Sequence, residues 1–527
     1  MKRFWLVLLS LGLIVAFSTS AMAVDVKFSG EYYAAGLYLD KVSVVKDSTK
    51  TWIGTDQYTR TALPALASPM PVTRNGVTAK FTDYWKPNAP QTASYYTQQK
   101  QSTAFYFQRL RLNTQIVVSP GLSLITRADA MERAWGAARS NTGTALDALS
   151  AGTPAENENI AFDLAYVSYV SPIGKFDVGY QIDGAWGTEF GNNSIPTGKV
   201  AYFLPIGSLI VGLQTGKVAE WSRTSKNVWE TTSDSDDSFY TALVRYAWKG
   251  GDAGLLFRYN QQNSGRNSAA TEVQNGIVGP IPTTPGTTAL GIAGLYLAAD
   301  ANAQVAKKAY LLSPYAKAKL GPVALQAQIY YLFGEAKFED SDFGRFQYGE
   351  DKLKIDQLTA WVDATADFGM GYAGATIAYI SGDDPGTLDK VEGGSISGGL
   401  DWNPCLIMFN SDLDYWAGAI NGYDNAASRG AMSNAWFFQV RGGVRPVEKL
   451  DIGLSISYAN ADKKPSAAWL YNDYGYEVDL TGTYKLTNNL SYMLGGGYLM
   501  TGKYFQGKTE GSVADDFMVI NKLTLTF

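Results

Sequence analysis

The chain closes on Phe517-Met518-Val519-Ile520-Asn521-Lys522-Leu523-Thr524-Leu525-Thr526-Phe527. Phe517, Val519, Leu523, Leu525 and Phe527 share one parity, interrupted only by Asn521, while Lys522, Thr524 and Thr526 occupy the other. Successive side chains of a strand point to opposite faces, so this segment reads as a strand with one apolar and one polar face. Taken alone it fits the edge of a soluble sandwich as well as the wall of a membrane barrel.

The rest of the chain separates those two cases. Near the start, Val26, Phe28, Gly30, Tyr32, Ala34, Gly36 and Tyr38 alternate with Lys27, Ser29 and Glu31. Between 104 and 118, Tyr106, Leu110, Leu112, Ile116 and Val118 alternate with Arg109, Arg111, Asn113 and Gln115, and Ser119-Pro120-Gly121 reverses the chain into Leu122, Leu124, Thr126 and Ala128. Ile160, Phe162, Leu164 and Tyr166 likewise lead through Ser171-Pro172-Ile173-Gly174 to Phe176, Val178, Tyr180 and Ile182. Gly-, Pro- or Asn-rich turns at 205–208, 249–252, 320–322, 367–369, 445–449 and 487–489 bring the tight reversals to eight. Between them lie nine long connections, near 41–102, 136–158, 187–197, 219–237, 263–306, 335–352, 382–433, 462–473 and 503–515.

Strict sorting into short turns and long loops is the pattern of a transmembrane barrel; a β-helix or sandwich has no reason to show it. The expected fold is all-β: an antiparallel up-and-down transmembrane barrel of about 18 strands, with 16 or 20 open because strand boundaries are good only to a few residues. An even number places both termini on the short-turn side.

Composition removes most other classes. With no His and a single Cys among 527 residues, Ser-His-Asp and Cys-His triads, His-based zinc sites, internal disulfides and c-type haem attachment are all excluded. A net charge of −5 without a basic block offers no footprint for nucleic acid. The expectation is therefore no enzyme, no catalytic or cofactor-binding residues, no metal and no nucleic-acid partner. At the N-terminus, Lys2 and Arg3, the apolar run Phe4 to Phe17 and Ala21-Met22-Ala23 read as a signal peptide over 1–23, leaving 24–527 as a single barrel domain. The alternative, an anchoring helix, needs about 20 apolar residues.

If the apolar parity meets lipid, the other parity lines a lumen. The pore-lining candidates are Arg109, Arg111, Arg127, Asp129, Asp163, Asp177, Asp183, Arg245, Arg258 and Arg441, within a mixed-sign wall that also holds Asp363, Glu477 and Asp479. The arginines 109, 111 and 127 cluster on neighbouring strands and the aspartates 163, 177 and 183 on the next pair, which predicts a transverse field across the pore; the alternative is that the charges simply pair. Two long connections are unusually apolar, one containing Leu295 and Tyr296, the other Trp402, Cys405, Phe409 and Trp416. They are expected to form either a constriction or plug, or additional strands. The proline-bearing segment with Pro64, Pro69, Pro71, Pro87 and Pro90 is a further candidate to dip inward.

Other motifs are weaker. Gly497 to Lys503 imitates a phosphate-binding loop but has Tyr504 where Ser or Thr is required, and no helix follows. Asp234, Asp236 and Asp237, and Asp383 with Asp384, are read as solvated loop tips, with calcium as the alternative. Cys405 reads as a small buried residue.

The leader followed by Val24-Asp25-Val26-Lys27-Phe28-Ser29-Gly30-Glu31-Tyr32-Tyr33, the Phe107-Gln108-Arg109-Leu110-Arg111-Leu112 strand, the 171–174 turn and the terminal Phe527 together resemble outer-membrane porins of metal- and sulfate-reducing Gram-negative bacteria. That resemblance implies an outer-membrane location with periplasmic termini, lipid and small polar solutes as partners, a trimer or a monomer, and passive diffusion of small hydrophilic solutes or ions. The alternatives are a substrate-selective channel gated by an inward loop, and a barrel sheath or anchor for an electron-transfer partner. The strand count is also similar to that of alginate-export and carboxylate-specific channels.

Overall fold

The computed structural model describes residues 25–46, 102–136, 161–192, 195–220, 236–264, 305–338, 350–394, 396, 402–428 and 430–527 in full, with backbone pairing alone for residue 160 and for short strands within 49–96 and 273–278. Eighteen strands form the wall: β1 (Asp25–Leu39), β2 (Thr103–Ser119), β3 (Leu122–Ala134), β4 (Ile160–Ser171), β5 (Gly174–Asp183), β6 (Ile195–Ile206), β7 (Leu209–Ala219), β8 (Asp237–Trp248), β9 (Gly251–Gln262), β10 (Val305–Leu320), β11 (Val323–Phe338), β12 (Lys352–Asp367), β13 (Gly371–Ile380), β14 (Ala435–Val447), β15 (Leu450–Asn460), β16 (Asp473–Lys485), β17 (Leu490–Thr501) and β18 (Asp516–Thr526). Each is antiparallel to its chain neighbour, and β1 also pairs with β18, so the sheet closes on itself. All eight expected turns join consecutive strands, and the up-and-down barrel and its strand number are as the alternation predicts.

The seam runs from Glu31↔Thr526 to Leu39↔Met518. Beyond it, the backbones of Gly30 and Phe527 exchange hydrogen bonds of 2.8 and 3.1 Å. A Cβ at residue 30 would lie 2.8 Å from the Phe527 ring and closer still to the Arg111 carbonyl, so glycine leaves room for the terminal aromatic beside the first strand.

The outward parity is apolar around the whole circumference: Phe28, Phe162, Tyr180, Leu213, Tyr246, Phe257, Ile329, Val362, Ile377, Val440, Leu480 and Leu494 are all exposed. Part of this face is a continuous aromatic stack in which Tyr240 packs on Tyr259, Tyr259 on Tyr310, and Tyr310 on Phe333, at centroid distances of 6.3, 5.2 and 5.5 Å. An apolar belt of this extent matches hydrocarbon rather than water. The largest buried apolar cluster, by contrast, lies inside the cylinder. It joins wall residues such as Leu37, Phe107, Trp361, Phe437 and Leu499 to loop residues Phe190, Trp402, Met408, Leu413 and Phe505.

Candidate functional site

The charged inner residues pair with one another. Arg111 binds Asp129 through two hydrogen bonds of 2.7 and 2.5 Å, and Arg127 Nε donates to Asp163 at 2.9 Å, with Arg111 a further 3.7 Å from the same carboxylate. Arg127, Asp129 and Asp163 are all more than nine-tenths buried. Arg109 lies between Glu31 and Glu132 at 3.6 and 3.5 Å. Asp183 takes Arg258 at 2.7 Å and Lys199 at 3.3 Å, Asp177 takes Lys175 at 2.8 Å, and Arg245 meets Asp252 at 3.0 Å. Across the barrel, Arg441 reaches Asp363 at 2.8 Å and Thr376 at 2.7 Å. The basic and acidic clusters of β2 to β4 therefore neutralise each other along the wall; they do not face each other across the pore. Glu132, Lys199 and Asp252 belong to this network, although nothing in the alternation distinguishes them from other charged residues.

The connection between β13 and β14 turns into the lumen. Trp402, Cys405, Ile407, Met408, Phe409 and Leu413 are buried, and residues 402–416 form no wall strand. Asn410 caps a short helix, α1 (Ser411–Ala417), accepting from the Leu413 N–H, while its side-chain amide donates to the carbonyls of Cys405 and Leu406. Phe409 sits at φ 52°, a conformation costly for a non-glycine residue, and its N–H is held by Ser428 at 3.0 Å. Trp416 then stacks on Phe107 of β2 at 4.5 Å, so the plug reaches past β18 and β1.

Two acids of β16 anchor this loop. Glu477 accepts the Ile407 and Met408 N–H groups, one on each oxygen, at 2.6 and 2.7 Å, and Asp479 accepts the Leu406 N–H at 3.3 Å. Burial pushes the Cys405 thiol well above its usual range, and the two carboxylates push it the same way. At the loop rim, Lys463 beside Asp384 holds that carboxyl below its usual range with help from the Gly386 N–H, while burial raises its neighbour Asp383. Asp384 thus pairs with lysine, as a solvated loop tip does, and Asp236 pairs with Lys217; Asp237, by contrast, is buried and accepts from Ser264, and Asp234 lies outside the described residues.

A second inward loop, between β5 and β6, was legible only as a long connection. Gln328 of β11 accepts from the Thr188 backbone N–H at 2.8 Å and its hydroxyl at 2.6 Å, Trp186 donates to the Ser313 carbonyl of β10 at 3.0 Å, and Lys317 donates to the Gly187 carbonyl at 2.7 Å. Gly191 permits this approach, because a Cβ there would overlap the Tyr330 hydroxyl at 1.6 Å. The loop carries Phe190 across the lumen to Trp361 of β12, 5.4 Å away, and to Trp402 of the plug, 5.0 Å away. Two loops rooted on opposite arcs therefore touch inside the barrel. Beside the plug remains a cavity of about 480 Å³, lined among others by Asp363, Arg441, Lys522, Trp402, Cys405 and Asp479. Leu295, Tyr296 and the prolines at 64, 69, 71, 87 and 90 fall outside the residues whose side chains are described.

No family model and no curated protein matches the chain. Among solved structures it is similar to the anion-selective porin from Comamonas acidovorans, at 9% identity over 96% of this chain and 100% of that one, with a TM-score of 0.39. It is also similar to the outer membrane protein opdK from Pseudomonas aeruginosa, at 10% identity over 95% of this chain and 99% of that one and a TM-score of 0.42. A third likeness is to the outer membrane channel DcaP of Acinetobacter baumannii, at 10% identity over 96% and 99% and a TM-score of 0.39. At these values the likenesses add nothing to the lumen geometry described above, which stands on its own.

Proposed function

We propose that the chain is an outer-membrane channel for small hydrophilic solutes, in which two inward loops narrow the path and select among them. Only helices and closed barrels satisfy their backbone groups in lipid, and the apolar outer parity with an ion-paired inner parity fits the second solution. On this reading residues 1–23 direct export, both termini are periplasmic, and Arg109, Arg111, Arg127, Asp129, Asp163, Asp177, Asp183, Arg245, Arg258 and Arg441 line the path. The observation that carries the proposal is the Phe190–Trp402 contact, which joins loops from opposite arcs in the middle of the lumen. The same loops occupy the bore that a sheath would keep for a partner, which weighs against that alternative.

Planar-bilayer recording of the full chain and of a variant with 403–427 replaced by a short Gly/Ser linker tests it. The expected result is a small conductance that discriminates between sugars or ions in the wild type, and a larger, less discriminating one in the variant. No conductance from either protein overturns the channel reading; equal conductance and equal discrimination overturn the role of the loop.

A further inference from the structure

The plug anchor contains three cation ligands that the ion-pair network leaves unused. Cys405 Sγ and one oxygen each from Glu477 and Asp479 lie within 4.8 Å of one another, and all three residues are buried. Among the described residues, no Lys or Arg comes within ion-pair distance of either carboxylate, unlike Asp129, Asp163, Asp183 and Asp363. Asp479 is 5% exposed, and among the described residues its Oδ1 has no hydrogen-bond donor other than a proton shared with Glu477. Gly497 keeps the two acids close beneath the loop: a Cβ there would lie 2.7 Å from Asp479 Oδ1, 3.4 Å from Glu477 Oε1 and 3.2 Å from Leu406 Cβ. Cys405 and Asp479 both line the adjoining cavity.

Buried acids are ordinarily paired or bound to metal. A thiolate with two carboxylates is too soft a set for magnesium or calcium, which take oxygen ligands, and suits zinc or its thiophilic relatives. Three protein ligands with a water-accessible fourth position is the number an open zinc site has. Glu477 and Asp479 stand two residues apart on one face of β16, and Cys405 comes from the loop, so a shared ion ties loop to wall. We propose that Cys405, Glu477 and Asp479 bind a divalent cation of the zinc class that fastens the plug to the barrel. Binding displaces to solvent the thiol proton and any proton held between the two carboxyls, and involves no redox change. The inference stands on the anchor geometry and holds whether or not solutes pass.

The test uses the full chain, purified in detergent and treated with chelator, titrated first with Co²⁺ and then with Zn²⁺. Because Cys405 is the only cysteine, a thiolate-to-cobalt charge-transfer band reports that residue alone. The expected result is a near-ultraviolet band saturating at one Co²⁺ per chain and abolished by Zn²⁺. Cys405→Ser should remove the band, and Asp479→Asn should weaken Zn²⁺ binding at least tenfold, with both variants checked for heat-modifiable gel migration. The absence of a band in the wild type overturns the proposal without any variant. A band that persists in folded Cys405→Ser, or unchanged Zn²⁺ affinity in folded Asp479→Asn, overturns it too.

Discussion

Replacing Trp402 with alanine isolates the junction of the two inward loops. The indole makes edge contacts with Phe190 at 5.0 Å, Phe437 at 5.8 Å and Trp361 at 6.2 Å, and it is buried. Each such aromatic pair contributes about 0.5–1.5 kcal/mol beyond burial, and truncating a buried Trp costs about 3–5 kcal/mol. If that loss falls on the junction, the population in which the loops part rises by roughly two to three and a half decades, since 1.4 kcal/mol is a factor of ten. Single-channel recording should then show visits to a second, higher conductance level, and liposome swelling should admit larger sugars. Trp436→Ala is the matched control: the same side chain is removed from the outer face, where it is 40% exposed and stacks on Phe438. If both variants conduct like the wild type while Trp402→Ala remains folded, the junction does not control the path.

Other perturbations probe the wall and the anchor. Glu477→Gln leaves one acceptor oxygen for two N–H groups, which should cost about 1.5–3 kcal/mol of anchoring; hydrogen exchange at Ile407 and Met408 should quicken while exchange in β16 does not. Arg127→Ala leaves Asp163 buried with only the more distant Arg111, a loss of about 3–5 kcal/mol, and reversal potentials under a salt gradient should move toward cation preference; Asp163→Asn should move them the other way. The Asp384–Lys463 pair should show pH dependence at both extremes. Asp384 is held below its ordinary value, so its contribution is present above the ordinary carboxylate range and lost as pH falls through the lowered one. Lys463 is raised, so its contribution is complete below the ordinary lysine range and lost as pH rises through the raised one. Carbon-13 titration of Asp384 in Lys463→Met should move toward the ordinary carboxylate value; an unmoved titration would assign the shift to the Gly386 amide instead.

The wall was legible because its determinants are local. A tight turn such as Ser171-Pro172-Ile173-Gly174 is written in four residues, and an outward row such as Phe176, Val178, Tyr180 is written at period two, whereas a register shift in β4 turns Leu164 inward against the expected parity. The lumen was not, because what fills it depends on contacts far apart in sequence, such as Thr188 with Gln328 or Leu406 with Asp479. A signal was nevertheless present. At the loop ends of particular strands the alternation fails and both parities turn apolar: Tyr33, Ala35, Leu37 and Leu39 face inward on β1 opposite Tyr32, Ala34 and Tyr38, and Phe437 faces inward between Trp436 and Phe438. An inner face that loses its polarity over a few residues marks where something dry is packed against it. The pairing of charges was beyond reach for another reason: parity assigns a residue to a face, and strand register then decides which arginine meets which aspartate.

Closure of the sheet also bears on the order in which the molecule is assembled. Leu37 and Leu39 of the first strand, Phe107 of the second and Met518 of the last all contribute to the apolar cluster that receives the plug. Those side chains come together only when the N- and C-terminal strands have met, so the cradle does not exist in a partly zipped sheet. Docking of the 402–428 segment is therefore a late event that follows completion of the cylinder.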